Sequence, residues 1–267
     1  MPNRHIPGYT IVRPIFLGGT TDLYVARTAH GPRVVLRFLK EVYARQRTAR
    51  KRFLQSAAIL KKLDHPNLIS LIESGVHKGT PYMALPYIDA PNLRTRLTQR
   101  DPLLTAQPLF LLQQLAAALY YLHQAGYWHL DFKPENILVA DDAHATLIDF
   151  DSCVKKTANP VGVNAHPGTP AYVAPEWLLS HKVDGRADIF SFGVVAYEIY
   201  TGHKPFDRDT RDATLAAQCH ATTQPTAAAE YNPQIPRQIE ALLAKCLAKD
   251  PNARYPSMSL VLKDLAI

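Results

Sequence analysis

Residues 189–200 read IFSFGVVAYEIY, a stretch that is apolar on nearly every side of a helix. Such a helix has no face to give to water, so it must sit at the centre of a helical unit with neighbours all round it. A chain of 267 residues can supply those neighbours, because a chain of this mass buries roughly 73 % of its extended surface on folding. A second helical stretch, about residues 106–125, carries Leu111, Leu115, Leu119 and Leu122 on one stripe. Everything from about Pro102 to the end reads as helices joined by polar loops, with two short strand-like pieces at 137–140 and 146–148.

The first third follows a different period. Residues 9–14, 22–27 and 33–39 are rich in aromatic and β-branched side chains, and Gly18-Gly19 and His30-Gly31-Pro32 separate them, which predicts a strand meander. From about 48 to 63 the spacing of Phe53, Ala57 and Leu60 switches to one helical face. Strand signals return at 68–73 and 81–88, with a turn at Lys78-Gly79-Thr80. A mostly β segment with one helix, followed by a mostly helical one, predicts an α+β protein. About 25 irregular residues before Trp177 exceed the usual connection length and point to a functional loop.

Composition narrows the class. With 47 % apolar and 20 % charged residues the chain is an ordinary globular one. Cys153, Cys219 and Cys246 are odd in number and far apart, which argues against a zinc site or a disulfide framework and for a reducing compartment. MPNRHIPGYT lacks an apolar signal core and no uninterrupted apolar run could span a bilayer, so a soluble cytoplasmic protein without membrane contact is expected. The net charge of +7 is concentrated: Arg45, Arg47, Arg50, Lys51, Arg52, Lys61 and Lys62 face one acid, Glu41, within residues 41–63. A charged helix face explains that cluster better than nucleic-acid binding, which is not expected as the main function.

The window with most chemistry is Trp128-His129-Leu130-Asp131-Phe132-Lys133-Pro134-Glu135-Asn136-Ile137-Leu138-Val139, followed by Ile148-Asp149-Phe150-Asp151. A lone His-x-Asp or Asp-Phe is usually a turn or a cap, but here six matches fall in order with correct gaps. The window resembles the catalytic loop and metal-binding motif of protein kinases. Further stretches extend the resemblance: Gly168-Thr169-Pro170-Ala171-Tyr172-Val173-Ala174-Pro175-Glu176 is similar to the substrate-docking loop and its closing Ala-Pro-Glu. Asp188-Ile189-Phe190-Ser191-Phe192-Gly193 is similar to the start of the central helix, whose Asp fastens the catalytic loop, and Arg254 is the arginine expected to pair with Glu176. His65-Pro66-Asn67 and Pro81-Tyr82-Met83-Ala84-Leu85-Pro86-Tyr87 match the stretches after the regulatory helix and into the hinge. The match runs from about Tyr9 to Leu265 and is nearest to bacterial Ser/Thr kinases.

The resemblance implies a two-lobed protein-kinase-like fold over 9–265: a β-rich N-lobe at about 9–87 with one regulatory helix, a hinge at about 86–91 and a mainly helical C-lobe at about 92–265. It implies ATP with Mg²⁺, or Mn²⁺, as cofactors and a Ser/Thr-bearing protein as substrate, with a regulatory protein as a further partner. Asp131 would be the catalytic base and Lys133 would contact the transferring phosphate. Asn136 and Asp149 would hold the metal through hard oxygens. Gly18, Gly19, Leu23, Val35, Arg37, Leu85 as gatekeeper, Tyr87 and Leu138 would line the nucleotide site, and His129 would be structural.

The pattern also breaks. Phe16, Gly18 and Thr21 stand at the three glycine positions of the phosphate loop, so only one glycine remains. Arg37 replaces the phosphate-gripping lysine, with a bulkier planar fork, and Val35 replaces a small alanine. Ser56 stands where the regulatory helix should carry glutamate, and Gln55 lies about 100° round the helix from it. Leu130 replaces the arginine that reads a phosphate on Thr157 or Thr169, and Asp151 replaces a glycine, either recruiting a cation or facing solvent. Two readings follow: a Ser/Thr protein kinase of low intrinsic activity, or a pseudokinase scaffold that senses nucleotide or binds a partner.

Overall fold

In the computed structural model the described residues are 6–28, 31–163 and 170–266. His30 of the predicted turn and Gly168-Thr169 of the predicted docking loop lie outside them. The chain divides into two compact units, Met1–Asp89 with Asp149–Ser152, and Ala90–Ile148 with Cys153–Ile267.

The first unit is a five-stranded antiparallel sheet, β1 (Tyr9–Leu17), β2 (Thr21–Thr28), β3 (Arg33–Leu39), β4 (Glu73–His77) and β5 (Thr80–Pro86), in the order β1-β2-β3-β5-β4. One face buries Tyr24, Ala26, Val34, Leu36, Phe38 and Ala84 together with Ile6. β1 lies at an edge, the position where a strand tolerates a proline, and its register shifts on either side of Pro14. After the single turn α1 (Glu41–Ala44), helix α2 (Arg47–Leu60) buries Phe53, Ser56, Ala57, Ile59 and Leu60 and turns its basic residues outward.

The strand expected at 68–73 begins at Glu73 instead. Its register follows from the turn: Lys78 and Gly79 have φ of 47° and 82°, a two-residue hairpin loop that pairs His77 with Thr80 and Glu73 with Ala84. Leu68 and Ile69 are buried anchors outside the five-stranded sheet, Leu68 making only an isolated bridge. β5 likewise ends at Pro86 rather than 88.

The second unit is mainly helical: α3 (Leu93–Thr98), α4 (Pro102–Ala106), α5 (Pro108–Gln124), α6 (Pro175–Ser180), α7 (Arg186–Thr201), α8 (Arg211–Cys219), α9 (Ala228–Tyr231), α10 (Arg237–Cys246) and α11 (Met258–Asp264). The expected helix at 106–125 breaks at Gln107, because Pro108 starts a new helix at its first position. Among the described residues three short antiparallel pairs join the helices: β6 (Tyr127–Trp128) with β9 (Val154–Lys155), β7 (Ile137–Val139) with β8 (Ala145–Leu147), and β10 (Val161–Gly162) with β11 (Lys182–Val183). α7 is the all-round apolar helix, buried from Ala187 to Ile199. It approaches α10 so closely at Gly193 that a Cβ there would lie 2.7 Å from Cys246 Cβ.

Candidate active site

In the first unit, strand register sorts the nucleotide-site candidates. Leu23 pairs with Arg37 and Val35 with Leu85, so Leu23, Val35, Arg37 and Leu85 share the sheet face opposite the buried cluster of Tyr24, Leu36 and Ala84. Tyr87 follows on the chain beyond β5. The Arg33 guanidinium lies 4.4 Å over its ring, and its hydroxyl donates to Asp89 at 3.2 Å. In the turn between β1 and β2 the Gly18 amide donates to Thr21 O at 3.0 Å. The Phe16 ring lies so close over Gly18 that a Cβ on Gly18 would strike it, whereas Gly19 stands in open space. The single retained glycine therefore has a local reason: Phe16 takes the space a side chain would need.

Arg37 is buried, and its guanidinium forks onto Asp151, Nη1 to Oδ1 at 3.1 Å and Nη2 to Oδ2 at 2.7 Å. Nη1 also reaches Asp149 Oδ1 at the longer distance of 3.4 Å. The Asp151 amide donates to that same oxygen at 3.1 Å. Burial opposes the Arg37 charge, but Asp149 and Asp151 outweigh it and raise its pKa. Burial and the Asp149 charge push the Asp151 carboxyl up, against the pull of Arg37 and Ser56. Ser56 is fully buried, and its hydroxyl closes no regular hydrogen bond. Of the two roles expected for Asp151, facing solvent is therefore wrong: its side chain is spent on a cation, and that cation is Arg37.

In the second unit the residues expected to form the catalytic loop gather on a backbone held from α7. Asp188, with no exposure, accepts from the amides of His129 at 2.8 Å and Leu130 at 2.7 Å and from His123 Nε2 at 2.8 Å. Burial alone would raise its pKa, but those donors hold it below the ordinary carboxyl value. The two amides are captured because Leu130 turns to φ 60°, a conformation costly for a leucine. His129 is fully buried, accepts from the Asp131 amide at 3.3 Å and meets the Phe132 ring edge-on at 6.2 Å between centroids.

That bend presents Asp131, Lys133 and Asn136 together. Lys133 Nζ donates to Asp131 Oδ1 at 2.9 Å and Oδ2 at 2.8 Å. Asn136 Nδ2 donates to Asp131 O at 2.9 Å and to Asp131 Oδ2 at 3.0 Å. With its amide nitrogen committed to Asp131, Asn136 offers its carbonyl oxygen to a ligand, the donor type a hard cation takes. Leu138 lies on β7 opposite Thr146 and is bridged to Asn92.

Downstream, Arg254 donates to Glu176 Oε1 at 2.8 Å and Oε2 at 2.7 Å, the expected pair. Two features escaped the sequence. His123, which no motif in the sequence singles out, completes the Asp188 clamp. Arg94, on α3, joins Glu135 at 3.0 Å, Glu198 at 2.6 Å and the Tyr172 hydroxyl. Burial opposes the Arg94 charge, but Glu198 leads the groups that raise its pKa, while burial and Glu198 raise that of Tyr172. No local signal marks Arg94, since its partners lie between 41 and 104 residues away.

The comparisons agree with this geometry. The family model described as the protein kinase domain matches residues 9–265, and the chain belongs to that family. It is 29 % identical over 249 residues to the serine/threonine-protein kinase PrkC of Bacillus subtilis, covering 92 % of this chain and 38 % of that protein. It is 31 % identical over 258 residues to the serine/threonine-protein kinase PknJ of Mycobacterium tuberculosis, covering 94 % of this chain and 43 % of that one. The chain thus spans about two fifths of the length of these bacterial relatives. Its fold matches the crystal structure of the Mycobacterium tuberculosis PknI kinase domain with a TM-score of 0.74 at 24 % identity, covering 99 % of this chain and 98 % of that one. The α+β kinase fold expected from the sequence is therefore the fold of the protein. No helix among the described residues is long and apolar enough to cross a membrane.

Proposed function

We propose that this chain is a Ser/Thr protein kinase domain that transfers the γ-phosphoryl group of ATP to a protein hydroxyl, with low intrinsic activity. The observation that carries the reading is the Asp131–Lys133–Asn136 cluster, hydrogen-bonded together on a loop that Asp188 holds from below. Asp131 is the base that orients the acceptor hydroxyl and takes its proton at a carboxylate oxygen. Lys133 lies within 2.9 Å of both of those oxygens, so it holds the carboxylate in place and offers a positive charge where the phosphoryl group arrives. Asn136 fixes the Asp131 backbone and side chain with one amide group.

Asn136 and Asp149 are the residues that would hold Mg²⁺, which when bound neutralises the charge of the β- and γ-phosphates. Each residue offers a hard oxygen, the donor type this ion takes. Arg37 does not compete strongly for Asp149, since its shorter, two-pronged contact goes to Asp151. Low activity follows from Phe16 and Thr21 in the phosphate turn and from Arg37 in place of lysine. We assign the nucleotide face to Leu23, Val35, Arg37 and Leu85, with Gly18, Gly19, Tyr87 and Leu138 completing the set, and the hinge to about 86–91.

The pseudokinase reading has one specific observation behind it, the contact of Arg37 with Asp149 itself, which gives that carboxylate a cation from the protein. Thermal shift with ATP, with and without Mg²⁺ or Mn²⁺, separates the two, because a ligand of the native state must raise the midpoint. We expect a metal-dependent shift and ³²P incorporation that Asp131→Asn abolishes while the shift persists. A shift without incorporation favours the scaffold, and no shift under any condition refutes the nucleotide site.

A further inference from the structure

We propose that Asp151 is the positioning residue for Arg37, supplying from the segment after Asp149 the carboxylate that the regulatory helix α2 lacks at Ser56. The proposal rests on the kinase reading above and goes beyond it by assigning a residue that the family pattern leaves as glycine.

The argument is one of matched changes. A cation on β3 must be held in place if it is to meet phosphate oxygens, and a buried cation must have a partner in any case. At position 56 no carboxylate is available: serine is fully buried there on the face that also carries Phe53, whose ring lies 5.7 Å from the Arg37 guanidinium carbon. The missing charge reappears at position 151, and in the form the new cation needs. A lysine ammonium is satisfied by one carboxylate oxygen, but a guanidinium is held best by two oxygens in one plane, and Asp151 offers both, at 3.1 and 2.7 Å. Arg37 and Asp151 therefore make sense as a pair, each departure explaining the other.

Backbone geometry allows the exchange. Among the described residues Asp151 is not one with positive φ, so the loss of glycine there costs no left-handed strain. Its amide meanwhile donates to Asp149 Oδ1, so one residue fixes the cation through its side chain and the neighbouring carboxylate through its backbone. Ser56 follows from the same arrangement. The buried serine adds no charge there, whereas a glutamate would bring a second carboxylate to one guanidinium. The carboxylate that holds Arg37 thereby comes from the Asp149–Ser152 segment rather than from α2.

The test uses the whole chain. Michaelis parameters for MgATP are measured by ³²P incorporation into casein or by autophosphorylation, for wild type, Asp151→Asn, Asp151→Gly and the exchange variant Ser56→Glu/Asp151→Gly. We expect Asp151→Asn to lose at least tenfold in kcat/KM for ATP, and the exchange variant to recover most of what Asp151→Gly loses, which a merely structural aspartate would not show. A loss under twofold for Asp151→Asn, or a folded exchange variant no better than Asp151→Gly, overturns the proposal. Because a glutamate at buried position 56 risks unfolding the unit, a second measurement stands beside it. Melting midpoints without nucleotide are compared for Arg37→Met, Asp151→Asn and the double variant. Losses that are strongly non-additive support the pair, and additive losses overturn it. If wild type neither binds nor transfers phosphate from ATP, the kinase reading fails on its own, and this cycle still decides whether Asp151 holds Arg37.

Discussion

Replacing Asp188 by alanine removes the acceptor of three buried donors at once, the amides of His129 and Leu130 and His123 Nε2. Each donor left without a partner costs about 1–3 kcal/mol, which puts the gross loss at about 5 kcal/mol. One term opposes it: freed from Asp188, Leu130 can leave the left-handed conformation it holds at φ 60°, returning about 1–2 kcal/mol. The net loss is therefore about 4 kcal/mol, and for a unit of this size a kilocalorie lowers the midpoint by about 2–4 °C, so a fall of about 10 °C is expected. Asp188→Asn retains one oxygen but turns an amide donor toward a backbone N–H, and should lose about half as much. Urea titration followed by tryptophan fluorescence reads the right unit, because both tryptophans, Trp128 and Trp177, lie in the second one. The carboxyl also has a pH signature. Its folded pKa lies below the ordinary value of 3.8, so its stabilisation is fully present above about pH 4 and is lost as pH falls through the folded value. Acid unfolding of Asp188→Asn should accordingly be shallower than that of wild type. A loss below about 1 kcal/mol for Asp188→Ala, with an unchanged acid limb, would refute the clamp.

Arg254→Met should cost about 3–5 kcal/mol by urea titration, because it leaves Glu176 without its partner and strands the carbonyls of Ala248, Arg186 and Lys249. A variant within 1 kcal/mol of wild type would show that the pair is not needed. Gly193→Ala should cost about 1–3 kcal/mol, since its Cβ would stand 2.7 Å from Cys246 Cβ where α7 meets α10. A Gly193→Ala protein as stable as wild type would mean that the helices part freely there.

Local rules made much of the fold legible. The period change near residue 48 marked α2, and the all-round apolar stretch marked α7, whose apolar residues from Ile189 to Ile199 are buried as that composition requires. The strand at 68–73 failed for a physical reason. Leu68 and Ile69 satisfy both a strand pattern and a buried loop anchor, and only the Lys78-Gly79 turn settles where pairing begins. Asp188 and Arg254 were legible because a motif carried them, whereas Arg94 was not, because a buried ion network leaves no periodicity in the sequence that builds it.

Arg37, Ser56 and Asp151 show why single positions mislead. Taken singly, each is a loss: a lysine gone, a glutamate gone, a glycine gone. The losses do not add, since the charge removed from α2 and the charge added at Asp151 are opposite changes around one guanidinium, and a buried ion pair depends on having a partner rather than on which element supplies it. A count of missing family residues therefore overstates how far this site has decayed. The quantity that matters is whether the β3 cation is held, and the fork of Arg37 on Asp151 holds it. What the exchange cannot replace is bare backbone in the turn between β1 and β2, where Phe16 covers Gly18. The reduced activity we propose is therefore traced to that turn and to the bulk of the guanidinium rather than to the absent glutamate.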